Sequence, residues 1–166
     1  HDTLPLYLSD LGVADENARW SCLSWEMSSP FASQRGGWQD DVLASLDDPE
    51  HPETARGNLT WIHYSVSDVY LTSWFGRCLA AELNYRQRAY VDGDPNPSPW
   101  AYRETDAAPW GAERAWQLYD EENEQWRDHW LITSGTRIVE FISSDLEMTD
   151  ARMATVGEKL LNADIK

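Results

Sequence analysis

Any chemistry in this chain must be built from four histidines, two cysteines and 29 carboxylates, set among ten tryptophans. No strong motif gathers them. The sequence lacks a Gly-x-x-x-x-Gly-Lys-Ser/Thr phosphate loop, a Gly-x-Gly-x-x-Gly turn, a His-Glu-x-x-His zinc pair and a Gly-x-Ser-x-Gly elbow. His51 and Glu53 stand at the spacing that opens a zinc deaminase motif, but the Cys-x-x-Cys pair that would complete the zinc shell is missing. Asp92, Asp94 and Asn96 supply oxygen ligands at positions one, three and five of a calcium loop. Pro97 then replaces the glycine the sharp turn needs, and Arg103 replaces the bidentate glutamate. A solvated turn is expected there, and neither metal nor cofactor. Cys78 lies on an apolar helical stripe, where a thiol is usually inert. Cys22 and Cys78 together allow one disulfide closing a long loop, or two buried thiols; both readings stand open at this point.

Tryptophan is the outstanding feature. Its ring stacks on sugar faces and clamps peptides, and it also fills cores. Trp25, Trp74, Trp116 and Trp130 follow apolar periodicities and are expected in the core. Trp38, Trp100 and Trp110 lie in or beside loops rich in Gly, Pro and acids and are the expected ligand-binding residues, for a glycan or a peptide. Trp126 shares that setting. No catalytic residue is expected. With 29 acids, a hydrolase using two carboxylates on a glycan is the rival reading, though no pair stands out. A structural interaction module of a larger protein is the third.

The formal net charge of −16 repels phosphate backbones, which excludes nucleic acid as a partner. Eleven of the thirteen basic residues are Arg. The longest apolar stretch, around Val69 to Leu83, is broken by Arg77 and Glu82, so no membrane span is expected.

The elements that must position these groups read as a single α+β domain over residues 1–166, an antiparallel sheet with about three helices packed largely on one face. Leu4 to Leu8 alternates and predicts an edge strand, because Pro5 cannot serve a central ladder. Trp20–Met27 and Leu59–Val66 predict strands. Val42, Leu43 and Leu46 predict a short helix. A long helix is expected from Ser67 or Asp68 to about Tyr90, and another from Pro109 to Glu122 with Ala112, Ala115, Trp116 and Tyr119 inward. Trp126–Ser143 predicts a hairpin turning at Ser134-Gly135, which pairs Trp130 with Val139 and sets His129 opposite Glu140. Such a His–carboxylate pair is either a proton relay or, as expected here, a cross-strand pair. Thr149 caps the last helix, with Met148 and Met153 as a hydrophobic staple.

The run Tyr64-Ser65-Val66-Ser67-Asp68-Val69, then Trp110 to Tyr119, Trp130-Leu131-Ile132, Arg137-Ile138-Val139, and Thr149-Asp150 followed by Glu158-Lys159-Leu160 resembles the extracytoplasmic part of membrane-anchored proteins and lipoproteins of gut Firmicutes. The likeness is a rhythm of hydrophobics over residues 59–162. It implies a surface location and carries over no functional residue. Beginning at His1 without Met, the chain is expected to be a trimmed piece tethered upstream. The resulting expectation is a non-catalytic cell-surface binding or sensing domain.

Overall fold

The computed structural model describes residues 4–14, 18–24, 39–46, 60–69, 72–89 and 99–164. Seven strands form one sheet: β1 (Ala18–Ser24), β2 (Gln39–Leu46), β3 (Trp61–Asp68), β4 (Trp100–Thr105), β5 (Arg114–Asp120), β6 (Gln125–Ser134) and β7 (Arg137–Ser144). Their spatial order is β1-β2-β3-β7-β6-β5-β4, and every pair is antiparallel. Two meanders, β1–β3 and β4–β7, therefore meet edge to edge at β3 and β7. Counting directions across the sheet makes β3 and β4 parallel, so the chain must cross over between them. The crossover carries α1 (Phe75–Ala89).

The class is α+β with an antiparallel sheet, as expected, but among the described residues the α-helices are two. The second is α2 (Asp150–Leu161), and the remaining helical pieces are short 3-10 turns at Leu8–Leu11, Thr72–Trp74 and Ala108–Trp110. They do not share a face. One core gathers Ile62, Tyr64, Trp130, Ile132, Val139 and Phe141 beneath Val156 and Leu160 of α2. The other gathers Trp116, Leu131 and Ile138 beneath Cys78 and Leu79 of α1. On β6 and β7 consecutive residues alternate between the two cores, so the central strands are buried on both sides. Among the described residues no helix is long and apolar enough to cross a membrane.

Local signals explain the hairpin and the last helix. Gly135, at φ 57, occupies the first central position of a two-residue turn, Gly135-Thr136, a geometry suited to glycine. The turn thus sits one residue later than expected. Trp130 pairs with Phe141, and His129 with Ile142. Thr149 caps α2, its hydroxyl accepting from the Arg152 N–H at 3.3 Å. Met148 and Met153 pack against the core beside it.

Three other expectations are corrected. Leu4 to Leu8 is no strand: it runs into the Leu8–Leu11 turn, and Leu6 is held by the Tyr64 hydroxyl, which donates to the Leu6 carbonyl at 3.0 Å and accepts its N–H at 3.3 Å. Val42, Leu43 and Leu46 belong to β2, not a helix. Residues 109–122 form a 3-10 turn followed by β5. Packing of α2 on that turn depends on Gly157, whose built Cβ would lie 1.7 Å from the Trp110 carbonyl oxygen.

Candidate functional site

α1 covers only part of its face of the sheet. Along each of four strands, the residue under α1 and its alternate neighbours point the same way. Tyr102, Trp116, Leu131 and Ile138 lie at the α1 side. Trp100, Leu118, His129 and Ile142 follow at spacings of two or four and line an open cleft of about 550 Å³. Trp61 on β3 completes the row. The first residues of β6 and the end of β7 form its walls, bringing in Gln125, Trp126, Asp128, Ser144 and, just past β7, Asp145.

Several departures from regular structure meet here. Between Gln117–Trp130 and Tyr119–Trp126 the register shifts, leaving three β6 residues opposite one on β5. Bulges of this kind re-aim side chains. The Gln117 amide donates to the Arg127 carbonyl at 3.0 Å and satisfies part of the freed backbone. Glu124 (φ 53) and Asp145 (φ 56) are the non-glycine residues with positive φ among those described, and they flank and line the cleft. The Thr60 hydroxyl donates to the Asp145 carbonyl at 3.3 Å.

The tryptophans are held differently. Trp126 packs edge-on against Tyr119, with centroids 4.9 Å apart, and is 49% exposed. Trp100 is half-buried; its indole donates to Asp120, and the Arg127 guanidinium lies 4.7 Å from its ring. Asp120 also takes the Asn123 amide at 2.7 Å and the backbone N–H groups of Glu122 and Asn123. The Asn123 side chain foremost, then these backbone donors and the Trp100 indole, outweigh burial and hold its carboxyl below the usual range. Asp120 thereby fixes both the turn and the Trp100 ring. Asp128 has the opposite balance. Desolvation raises its pKa, and the Arg127 charge opposes this only in part.

Beneath the cleft, the Tyr102 hydroxyl and His129 Nε2 are 2.9 Å apart, and Glu140 Oε2 is 3.4 Å from the same nitrogen. His129 is 7% exposed, and its ring meets that of Tyr102 edge to face. A neutral ring with its proton on Nδ1 accepts from Tyr102; a protonated ring donates from Nε2. His129 and Glu140 thus do meet, through a diagonal contact across strands rather than as a directly opposed pair.

Of the expected ligand-binding residues, Trp100 lines the cleft. Trp110 does not. It is 2% exposed, tilted against Trp130 and edge-on to Phe141 at centroid distances of 5.5 and 6.1 Å, and its expected exposure is corrected to core packing. Trp38 and the calcium-like Asp92, Asp94 and Asn96 lie outside the described residues. The Cys22 side chain does too, so the Cys22–Cys78 pairing has no described geometry; Cys78 itself is buried on the inner face of α1. Sequence reasoning missed Trp61, Asp128 and Asp145 as site residues. Trp61 was concealed by its strand, and the carboxylates by a bulge and a left-handed turn with no composition signal.

No known family matches this chain. Neither a curated protein nor a solved structure is significantly similar to it. Among the described residues no group of three or more His, Cys, Asp or Glu side chains could hold a metal ion. The cleft instead offers aromatic faces with hydrogen-bonding groups between them.

Proposed function

We propose that this chain is a cell-surface binding or sensing domain whose ligand, a glycan, lies in the cleft between Trp61, Trp100 and Trp126. The observation that carries the reading is the cleft's composition. Three indoles share one cavity of about 550 Å³ with Gln125, Asp128, Ser144 and Asp145. Aromatic faces suit the apolar faces of sugar rings. Carboxylates, amides and hydroxyls suit their hydroxyl groups. The volume falls within the range of small-ligand sites. The surface location rests on the hydrophobic rhythm described above.

Trp126 is the reporter. Its fluorescence should respond to a bound glycan, and Trp126→Ala and Trp61→Ala should each weaken binding while Trp126→Ala leaves the fold intact. A glycan and peptide panel that shifts no fluorescence, and no amide resonance of β6 or β7, sinks the reading. A peptide hit with no glycan hit moves the ligand class.

One observation favours an enzyme. Asp128 and Asp145 line the same cleft, and desolvation keeps Asp128 protonated to higher pH, as a general acid requires. Turnover of a glycan by the wild type, abolished in Asp128→Asn, would establish a hydrolase.

A further inference from the structure

We propose that the group seated in the cleft is cationic, and that the ligand is a glycan of amino sugars carrying free ammonium groups. This rests on the reading that a glycan occupies the cleft, and it narrows the substrate class. Three observations carry it.

The first is that the aromatic wall already holds a cation. The Arg127 guanidinium lies 4.7 Å from the Trp100 ring centroid, inside the range over which an indole face attracts positive charge. The same preference recurs nearby, with Arg103 over Tyr119 at 3.7 Å and Arg114 over Trp116 at 4.5 Å.

The second is the local charge. Asp128 and Asp145 line the cleft, and among the described residues that line it Arg127 is the one Lys or Arg. On the same face of the sheet, next to the lining residues, lie Asp120, bonded to the Trp100 indole, and Glu140, beside His129. An ammonium group placed between the rings would meet carboxylates on both walls. A uronate or phosphate would meet repulsion.

The third is the field of the whole chain. A net charge of −16 draws cations toward the surface and raises their local concentration in a cleft lined with acids.

Together these define competition. Arg127 occupies the position a ligand cation would take, and its charge opposes an incoming ammonium group. Removing it should improve binding of a charged ligand and leave a neutral one nearly unaffected.

The test uses the whole chain and two oligosaccharides of equal length, one of glucosamine and one of N-acetylglucosamine, at about pH 6, where the free amine is protonated. Binding is read by tryptophan fluorescence. The glucosamine oligomer should bind about tenfold tighter than its acetylated counterpart. Asp128→Asn and Asp145→Asn should each erode that preference, and Arg127→Gln should enlarge it. Circular dichroism checks that each variant is folded.

Equal affinity for both oligomers overturns the inference and leaves the glycan reading standing. Glucosamine binding that ignores Asp128→Asn, Asp145→Asn and Trp126→Ala alike is diffuse attraction to an acidic surface, and it overturns both. Binding of neither oligomer overturns the inference, and the wider panel above then decides the glycan reading alone.

Discussion

Replacing Gly157 with Ala sets two effects of opposite sign against each other. Alanine is the better helix former, by ~1 kcal/mol in a helix interior. Yet its Cβ would lie 1.7 Å from the Trp110 carbonyl oxygen and 2.8 Å from the carbonyl carbon. Both are backbone atoms of a turn that also buries the Trp110 ring, so neither can rotate away. Restoring an ordinary contact requires separating α2 from the 108–110 turn by roughly 1.5–2 Å. That movement lifts the neighbouring Val156 and Leu160, both fully buried, off the core. Overpacking typically costs about 1–3 kcal/mol, and partial voids add to it. The clash should therefore win, with a net loss of ~2–4 kcal/mol out of a total of roughly 5–15 kcal/mol. Urea unfolding followed by far-UV circular dichroism should show a midpoint lowered by about 1 M with an unchanged slope. Gly76, in the first turn of α1 with nothing near its built Cβ, is the control: Gly76→Ala should hold or raise stability by up to ~1 kcal/mol. A Gly157→Ala protein as stable as the wild type would refute the packing of α2 on the 108–110 turn.

The two aromatic environments should separate cleanly. Trp110→Ala should cost ~3–5 kcal/mol as a core truncation, whereas Trp126→Ala should stay within ~1 kcal/mol and act on binding; equal costs measured by urea titration would dissolve the distinction between core and cleft. Asp120→Asn should destabilise the fold at neutral pH. A carboxyl with a lowered native pKa contributes above its unfolded pKa, and that contribution is lost as pH falls through the lower native value, so the difference between variant and wild type should shrink below about pH 4. Asp128 carries the reverse sign, because its raised pKa favours the protonated form in the fold. Asp128→Asn should be neutral or slightly stabilising at pH 7, with the gain fading in acid, and thermal melts across pH would expose the opposite trend.

Which elements were legible in the sequence follows from where their information lies. The hairpin and α2 are specified by near neighbours: β-branched runs around one glycine, and a threonine cap with flanking methionines. Each was placed to within a residue or so. Ala112, Ala115, Trp116 and Tyr119 satisfy helical spacing, so the sequence around β5 predicts a helix where the structure has a strand. Its strand nature is hidden because Ala115 and Trp116 are buried on opposite faces, while farther along the buried face ends in Asp120 and the half-exposed face carries Tyr119, so hydrophobicity does not alternate although burial does. The same spacing in Val42, Leu43 and Leu46 predicts a helix in place of β2. Leu4 to Leu8 alternates as a strand would, but the polar atoms of Leu6 are satisfied by a tyrosine hydroxyl 58 positions away. The site was less legible than the fold. Trp100 was marked by its loop, but what surrounds it comes from β3, β6 and β7, and no local pattern encodes that meeting. The one-residue error in the hairpin turn was benign for His129 and Glu140. Moving the turn by one position moves each partner by two, which preserves the face.

That preserved face connects the register to the cleft. An antiparallel sheet of regular strands would carry the alternation of β6 to its end and give a plain edge. Here β6 has three residues opposite one on β5, the turn before β6 holds Glu124 in a left-handed conformation, and Asp145, just past the end of β7, takes another. Each departure has an energetic cost of order 1 kcal/mol or more unless neighbours enforce it. Those neighbours are present: Gln117 on the Arg127 carbonyl, Asp120 on the 121–124 turn, and Thr60 on the Asp145 carbonyl. Elsewhere among the described strands, the pairing runs without a register shift. Distortion concentrated at one end of a sheet, braced by side chains, and bordered by the half-buried Trp61 and Trp100 and the exposed Trp126 is poorly explained as a packing accident. It is better explained as the cost of holding open a cleft that a regular sheet would not form.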